Sequence, residues 1–525
     1  MAQEQAETRL KRELGLWDVY AIATGATLSS GLFLLPGLAA VGAGSALPIS
    51  YVLAGLLLLP GLVSKAELAT AMPKAGGIYY FLDRSMGPLF GTMGGLGTWI
   101  SLILKSAFAL VGIGAYLGLF FPDLPMEPIA AGFAIFFGFV NLLGAKKSTT
   151  FQVYLLIGLL VLLLWFVGAG IPEMNAGYFA DVFQQESASV ISTVGLVVVS
   201  YMGLTKVASV AEEVKDPEKN LPLGMFLAFG TAILVYAVGT SVMVGVVGAD
   251  VLAGGGHPDL TPVATVAEVL GGRTGSIVMT VAALLAFASV ANAGILSASR
   301  YPLAMSRDKL LPSFFKNVGS RSTPHYAIAV TVALIILFVT VFDPTHIAEL
   351  ASAFQLVMFG LACLAVIVMR ESGIESYDPG YKSPFYPWLH LLGILAPFWL
   401  IVQMGLLSTL FTGGLMIFGA AWYNSYARDK VEREGAILHV FERLGRGKNL
   451  DLDGELREIM KEKGLREADP FDEVIAAAGM IDAEDGDTFS EVAWRAADRM
   501  AQELGVSSDD LTEGFFDRTS LTMMA

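Results

Sequence analysis

The chain has 525 residues, of which 54% are hydrophobic and 15% charged, and its formal net charge is −15. Soluble domains carry about 25% charged residues, so this composition excludes an ordinary soluble protein. Apolar stretches of about 20 residues recur along the chain, and each is long enough to cross a bilayer as a helix. They predict an all-α polytopic membrane protein rather than a barrel of short alternating strands.

Twelve apolar segments are predicted to span the membrane. Some of them, including the first and the sixth, are interrupted by glycine and polar residues, whereas the fifth is uniformly apolar. In chain order the predicted spans are 16–42, 46–71, 88–121, 126–144, 150–171, 187–211, 221–248, 274–300, 323–343, 347–370, 386–404 and 406–427.

Basic residues predict the orientation, because loops rich in lysine and arginine stay on the cytoplasmic side. Alternate loops carry these residues and the remaining loops have none except Arg273. The pattern places both termini in the cytoplasm of a multi-pass protein of a prokaryotic inner membrane. The inner positions are Arg9, Lys11, Arg12, Lys74, Arg84, Lys146, Lys147, Lys215, Lys219, Arg307, Lys309, Lys316, Arg321, Arg370 and Lys382.

The composition changes after Arg428, which divides the chain into a predicted transporter part, 1–428, and an acidic cytoplasmic module, 429–525. The segment FSEVAWRAADRMAQELG, which begins at Phe489, has a helical apolar face and predicts a small α-rich module. The acidic charge excludes nucleic acid as a partner. The single Cys363 and five scattered histidines predict neither a disulfide framework nor a metal site or other cofactor.

The stretch ATGATLSSGLFLLPG, residues 23–37, places glycines and hydroxyls in the middle of the first span. Broken helix is tolerated in a membrane only where it is buried in protein or lines a polar cavity. Free amides at such a break attract anions, and free carbonyls attract cations. The stretch therefore predicts a receptor for a carboxylate, and close packing of small residues is the alternative.

A second interrupted segment, residues 194–222, has Ser200, Tyr201 and Gly203 within an apolar span. Transporters built from inverted repeats have broken helices at corresponding positions of their two halves. The first and sixth spans fit this scheme for two units of five helices.

Four ordered motifs resemble the amino acid–polyamine–organocation permeases over residues 12–428. They are GATLSSGLFLLPG, AELATAMPKAGGIYYF, SYMGLTKVASVAEEVKDPEKNLP and NAGILSASRYPLAMSRDKLLPSFF. The resemblance implies a five-plus-five inverted-repeat fold with helices 1 and 6 unwound, two extra carboxyl-terminal helices, and alternating access. The end of the chain also resembles the start of a phosphotransferase-system EIIA-like domain.

The resemblance also implies a substrate site. Ser30 and Gly31, with Ser29 adjacent, would hold the substrate carboxylate, and carbonyls of Thr27, Val199 and Met202 would accept from its amine. Some members of the family have an aromatic residue in place of Val199 and an acid in place of Thr205, and their absence favours a neutral or hydrophobic amino acid. The expected lining of the pocket is Gly25, Ser101, Leu102, Ser106, Tyr201, Gly203 and Thr205.

Three further residues are candidates for ion coupling. Lys105 lies in the middle of the third span, where a charge is costly and marks function unless it pairs structurally, for instance with Glu67. Lys206 lies near the end of the second break, and an ion pair with Glu213 is its alternative role. By the resemblance, Ser289 would supply half of the hydroxyl pair of a sodium site, and a packing role is its alternative. These residues favour proton coupling or exchange, with sodium as the alternative.

Three functions remain open from the sequence. The first is a secondary active transporter of amino acids, as a symporter or an antiporter. The second is an ion-coupled carrier of inorganic ions or organic cations on the same fold, and the third is a membrane sensor of amino acids. An enzyme is not expected, because the predicted spans carry neither a nucleophile–base set nor a metal cluster. The predicted partners are a small-molecule substrate, an amino acid, and the lipid bilayer, and the oligomeric state stays open.

Overall fold

The structure is a computed structural model that describes residues 12–73, 76–143, 149–318, 323–374, 376–431, 433–446 and 488–504. It divides the chain into two compact units, Met1–Arg443 and Leu444–Ala525. The described residues form helices joined by turns, with one isolated bridge between Leu14 and Val214 and no strand. The predicted inner positions Arg9, Lys11, Lys74, Lys146, Lys147 and Arg321 lie outside the described residues.

Among the described residues, the first half of the larger unit contains nine α-helices and a long 3-10 helix after them. In chain order they are α1 (Leu16–Thr27), α2 (Ser30–Phe33), α3 (Leu35–Ala43), α4 (Leu47–Ala71), α5 (Ile78–Met86), α6 (Pro88–Gly118), α7 (Met126–Leu142), α8 (Thr149–Glu173) and α9 (Ser187–Leu196), followed by the 3-10 helix Val197–Glu213.

The described residues of the second half also form helices. Its α-helices are α10 (Pro217–Val247), α11 (Ala249–Ala253), α12 (Pro262–Arg307, kinked at Gly271 and Gly272), α13 (His325–Val341), α14 (Pro344–Ser372), α15 (Trp388–Gln403), α16 (Leu406–Trp422) and α17 (Ile437–Arg446). In the smaller unit α18 (Phe489–Leu504) confirms the helix predicted there.

Eight helical stretches among the described residues have the length and apolar composition needed to cross a membrane. They are Leu35–Ala71, Pro88–Gly118, Val153–Glu173, Ser187–Ala208, Pro217–Val247, Pro262–Arg307, Pro344–Ser372 and Leu406–Lys430. Three shorter apolar helices, α7, α13 and α15, stand at the fourth, ninth and eleventh predicted spans. The chain is therefore an all-helical multi-pass membrane protein.

The first predicted span is divided because the chain leaves the helix at Leu28. The Thr27 hydroxyl donates to the Ala23 carbonyl (2.6 Å), and the Ser29 amide donates to the Thr27 carbonyl (2.9 Å). Leu28, with φ −76° and ψ 77°, is thus the centre of an inverse γ-turn. Short polar side chains compete with the helix for backbone partners, which explains why this apolar span ends its first helix at Thr27.

The sixth predicted span is wound more tightly than the resemblance implied. Its α-helix ends at Leu196, and the residues up to Glu213 continue as a 3-10 helix rather than as open chain. Three consecutive valines, 197–199, follow the end of α9, and β-branched residues are restricted in α-helices. The predicted interruption of the sixth span is present, but it takes the form of a change from α-helix to 3-10 helix after Leu196.

Candidate functional site

The break in the first span leaves two amides without acceptors. Ser30 and Gly31 are the first residues of α2, and within the described part of the chain their amides make no hydrogen bond. The Ser29 hydroxyl is fully buried and has no partner there either. Three donors without acceptors therefore lie together in a buried place, and such a group suits an anion.

The two interrupted segments touch backbone to backbone. A Cβ added at Gly203 would lie 2.3 Å from the Ala26 carbonyl carbon, and one added at Gly31 would lie 2.6 Å from the Ser200 Cβ. Because neither glycine can carry a side chain without moving its neighbour, these residues allow the close crossing. The first and sixth predicted spans therefore cross closely at these two glycines.

Buried tyrosines bind the carbonyls of both breaks. Tyr51 donates to the Gly31 carbonyl (2.8 Å), and Tyr236 donates to the carbonyls of Thr27 (2.8 Å) and Ser200 (3.1 Å). The rings of Tyr51 and Tyr201 each lie 5.1 Å from the ring of Tyr236. The Thr27 carbonyl, predicted to accept from a substrate amine, already accepts from Tyr236 and the Ser29 amide.

A cavity of about 840 Å³ extends from the first break to one end of the bundle. It is lined near the break by Gly25, Ala26 and Leu28, and it reaches the exposed side chains of Arg300 and Arg307 at the other end. This volume is in the range of small-molecule sites in proteins. Leu28 is on the lining of the cavity, and the three free donors, which begin at the next residue, are not.

The cavity brings together some of the predicted site residues and leaves out others. The predicted residues on its lining are Gly25, Ser101, Leu102, Lys105, Ser106, Met202, Gly203, Lys206 and Ser289. Those that lie off the lining are Thr27, Ser29, Ser30, Gly31, Val199 and Tyr201. Thr205 belongs to the 3-10 helix, and its side chain is outside the described part of the structure.

Lys105 reaches the end of the first half-helix. Its Nζ donates to the Ala26 carbonyl (3.0 Å), and the residue is 7% exposed. It does not pair with Glu67, as one alternative held. Glu67 instead accepts from Arg370 Nε (2.8 Å) and Arg370 Nη2 (2.6 Å), and from the Ser383 amide (2.7 Å). The described residues bring no carboxylate to the Lys105 ammonium.

The winding of the sixth span bears on the alternative ion pair of Lys206 with Glu213. In a 3-10 helix of three residues per turn, positions seven apart are offset by about 120°. The two side chains therefore do not share the face that an α-helix would have given them. Both residues line the cavity.

Aromatic side chains close the end of the bundle beyond the free donors. The Tyr116 hydroxyl donates to the Phe33 carbonyl (2.6 Å), and the rings of Phe33, Tyr116 and Phe287 lie 5.5–6.4 Å apart, edge to face. Farther along, a Cβ at Gly37 would lie 1.7 Å from the Asp259 carbonyl oxygen. The structure is thus open at one end of the site and packed shut at the other.

Several polar groups around the site were not among the site residues predicted from the sequence. Tyr51, Tyr116 and Tyr236 hold backbone carbonyls, and Lys65 and Gln355 are buried on the cavity lining. A tyrosine inside an apolar span was a usable signal, since a buried hydroxyl requires a partner. Lys65 was not singled out from the sequence, because it lies only two residues before Glu67 and near a helix end, where a charged residue is common.

Comparison with known proteins gives consistent matches across the membrane part. The model of the family described as "Amino acid permease" matches residues 14–423. A branched-chain amino acid permease of Bacillus subtilis is 27% identical over 449 residues, which cover 82% of this chain and 96% of that protein. A serine/threonine exchanger of the same organism is 25% identical over 431 residues, or 78% and 95%. A vacuolar cationic amino acid transporter of Arabidopsis thaliana is 26% identical over 397 residues, or 69% and 64%.

Proposed function

Because this chain belongs to the amino acid permease family, we propose that it is a secondary transporter that carries a neutral amino acid by alternating access. The observation that carries the proposal is the group of free donors at Ser29, Ser30 and Gly31, which follow directly on Leu28 of the cavity lining. Amides and a hydroxyl suit a carboxylate. The family and the relatives are transporters, which sets enzymatic activity aside.

The substrate class is supported by two further observations. The names of the two bacterial relatives specify branched-chain and hydroxyl amino acids. Glu213 is the one carboxylate side chain among the described residues of the cavity lining, so an amino acid with a cationic side chain finds little to neutralise it. A neutral amino acid meets no such penalty.

The membrane arrangement that we propose has twelve spans in two inverted units of five helices with two further helices, and both termini in the cytoplasm of a prokaryotic inner membrane. The positions of α7, α13 and α15 between longer spans, and the broken first span, support the count of twelve spans.

We propose a transporter part and an acidic carboxyl-terminal module, predicted at 1–428 and 429–525. Residues 433–443 pack with the transporter, since the Ala436 amide donates to the Arg84 carbonyl and Arg443 pairs with Glu371. The EIIA-like resemblance stays a prediction.

Binding of amino acids tests the function directly. We expect a set of neutral amino acids to raise the Tm of the purified protein, because a ligand bound only to the folded state stabilises it. Ser29→Ala removes one unpartnered donor and is expected to weaken this binding about tenfold, the effect of one hydrogen bond to a charged group. Ser50→Ala is the matched control, because its buried hydroxyl bonds its own helix at Ala46.

Two outcomes would contradict this function. A Tm that no amino acid changes, while chloride or another ion shifts it through Ser29, would favour an ion carrier. Binding of amino acids without any flux in proteoliposomes would favour a sensor.

We further propose that Lys105 couples transport to protons, or replaces a bound cation, through its bond to the Ala26 carbonyl. The contact places an ammonium group at the carbonyl end of α1, where the helix dipole favours a cation. Lys105→Met is expected to lower uptake about tenfold and to remove its dependence on pH between 5.5 and 7.5. Lys105→Arg keeps the cation as the control. Sodium-dependent uptake that survives in Lys105→Met with an unchanged pH profile would contradict this role.

A further inference from the structure

Lys65 is a buried cation that neither the substrate site nor the coupling proposal uses. It lies on α4, is 3% exposed, and lines the cavity. Its Nζ lies 4.0 Å from the centroid of the Phe359 ring, and the described residues bring no carboxylate to it. An aromatic face stabilises an ammonium group only modestly, so most of the cost of burying this charge is left without compensation.

Gln355 supplies a second unpartnered donor on the same lining. It lies on α14 and is 5% exposed, and its side-chain nitrogen has no hydrogen-bond partner among the described residues. Phe359 follows it by four residues on one helix, so the two side chains are neighbours on one face. Lys65 and Gln355 thus line one cavity from two packed helices, α4 and α14, and each is a neighbour of Phe359.

The charges on the described lining of the cavity are mainly positive. Its cationic side chains are Lys65, Lys105, Lys206, Arg300 and Arg307, and Glu213 is the one carboxylate on the described lining. A cleft lined by one sign of charge concentrates counter-ions of the other sign. A small anion that enters from the open end would therefore be drawn inward and would meet two unsatisfied donors.

We propose that the cavity holds a second site, formed by Lys65 and Gln355, which binds a small anion: an inorganic anion such as chloride, or a carboxylate. The site adds a ligand to the cavity and does not depend on which amino acid is carried. The ammonium group supplies the charge, and the amide of Gln355 donates beside it. The ring face of Phe359 lies against the ammonium group of Lys65.

This anion site is separate from the site for the substrate carboxylate. Tyr51 marks that first site, since its hydroxyl donates to the Gly31 carbonyl. Lys65 lies fourteen residues farther along the same helix, which at 1.5 Å per residue is about 21 Å. Lys65 and Tyr51 therefore lie on turns of α4 that are far apart, and the second site takes an anion of its own.

The test measures the Tm of the purified full-length protein in sodium chloride, sodium acetate and sodium gluconate at equal ionic strength. Gluconate is the reference because it is too large for a site of two side chains. We expect chloride or acetate to raise the Tm with a saturating concentration dependence. Chloride alone would identify an inorganic anion as the ligand, acetate alone a carboxylate, and both a site for either source.

Matched variants assign the effect to the site. Lys65→Met keeps the length of the side chain against Phe359 and removes the charge, and Gln355→Leu removes the amide. Each is expected to weaken the binding of chloride or acetate, measured by the rise in Tm, at least about tenfold. Lys65→Arg keeps the charge and should retain the effect. Lys215→Met should also retain it, because the Lys215 side chain is exposed outside the cavity. Equal Tm values in all three salts, or an unchanged chloride or acetate effect in Lys65→Met, would overturn the proposal. A Tm shift with a neutral amino acid in the same preparations shows independently that the first site is intact.

Discussion

At the scale of single residues, the site depends on groups that are missing a partner or a side chain. Ser29 has a hydroxyl without an acceptor in the described structure, and Gly203 has no side chain where the two broken segments meet. Both features would be faults in an ordinary membrane helix, because unsatisfied polar groups are costly in hydrocarbon. At a ligand site the first feature creates affinity, and the second allows the backbone to form the site.

Gly203→Ala is expected to separate the two broken segments. The added Cβ would lie 2.3 Å from the Ala26 carbonyl carbon and the Thr27 amide nitrogen, and backbone atoms cannot rotate away as a side chain does. Overpacking of this kind costs about 1–3 kcal/mol. Uptake in proteoliposomes and the Tm should both fall.

Gly230→Ala is the control for this variant, because a Cβ at Gly230 meets no atom within 4 Å. It should leave uptake unchanged, and its Tm should stay equal or rise with the better helix propensity of alanine. Normal uptake and Tm in Gly203→Ala would show that the two segments do not need this close crossing.

At the scale of elements, the carboxyl-terminal ends of α4 and α14 are joined by a buried polar cluster. Glu67 on α4 binds Arg370 on α14, and it also accepts from Ser383 and from the Tyr377 hydroxyl (3.0 Å). Burial and the neighbouring Glu67 carboxylate raise the pKa of Tyr377, so its hydroxyl remains a donor at neutral pH. The cluster fixes the loop after α14 against two spanning helices.

Glu67→Gln is therefore expected to lower stability by about 3 kcal/mol, because it leaves the Arg370 charge without its buried partner. Glu371→Gln is the matched control. Glu371 also binds an arginine and a tyrosine, Arg443 and Tyr386, but its side chain is 41% exposed. An exposed ion pair contributes about 0–1 kcal/mol. Thermal unfolding of the two variants in detergent compares them, and equal Tm values would contradict the structural role assigned to the buried pair.

The elements were easier to predict than their internal geometry. Helices stand at the predicted spans because long apolar runs in a membrane have no other way to satisfy their backbone. The break at Leu28 was visible as TLSSG. The 3-10 winding of Val197–Glu213 was not, since the same valines and glycine are compatible with an α-helix, an unwound chain or a tighter helix. Only packing against the first span decides between them.

The candidate site was predicted only in part, for a reason that applies to the whole molecule. The sequence shows which residues are polar but not which helices meet. Lys105 could therefore be singled out, yet its contact with Ala26 could not be distinguished from a pair with Glu67. Likewise, Lys65 and Gln355 are nearly 300 positions apart and belong together only through the packing of α4 on α14.

At the scale of the whole molecule, the structure is one state of a transporter that must have another. The cavity is open at the end where Arg300 and Arg307 lie, and the Phe33–Tyr116–Phe287 cluster closes the opposite end. Alternating access requires that the same site also open past these aromatic rings. Accessibility of a residue deep in the cavity should therefore change with the state of the protein.

Ser289→Cys in a Cys363→Ala background places a single thiol on the cavity lining, because Cys363 is the one native cysteine. A polar, membrane-impermeant maleimide is expected to label it from the side onto which the cavity opens, and a bound neutral amino acid should slow the labelling at least threefold by occupying or closing the path. Ser408→Cys, which replaces a fully buried serine off the cavity lining, is the unreactive control. Equal labelling from both sides of the membrane, with and without the amino acid, would show that the cavity is not the transport path. Labelling from one side only, slowed by the amino acid, would connect the open cavity to the site at Ser29.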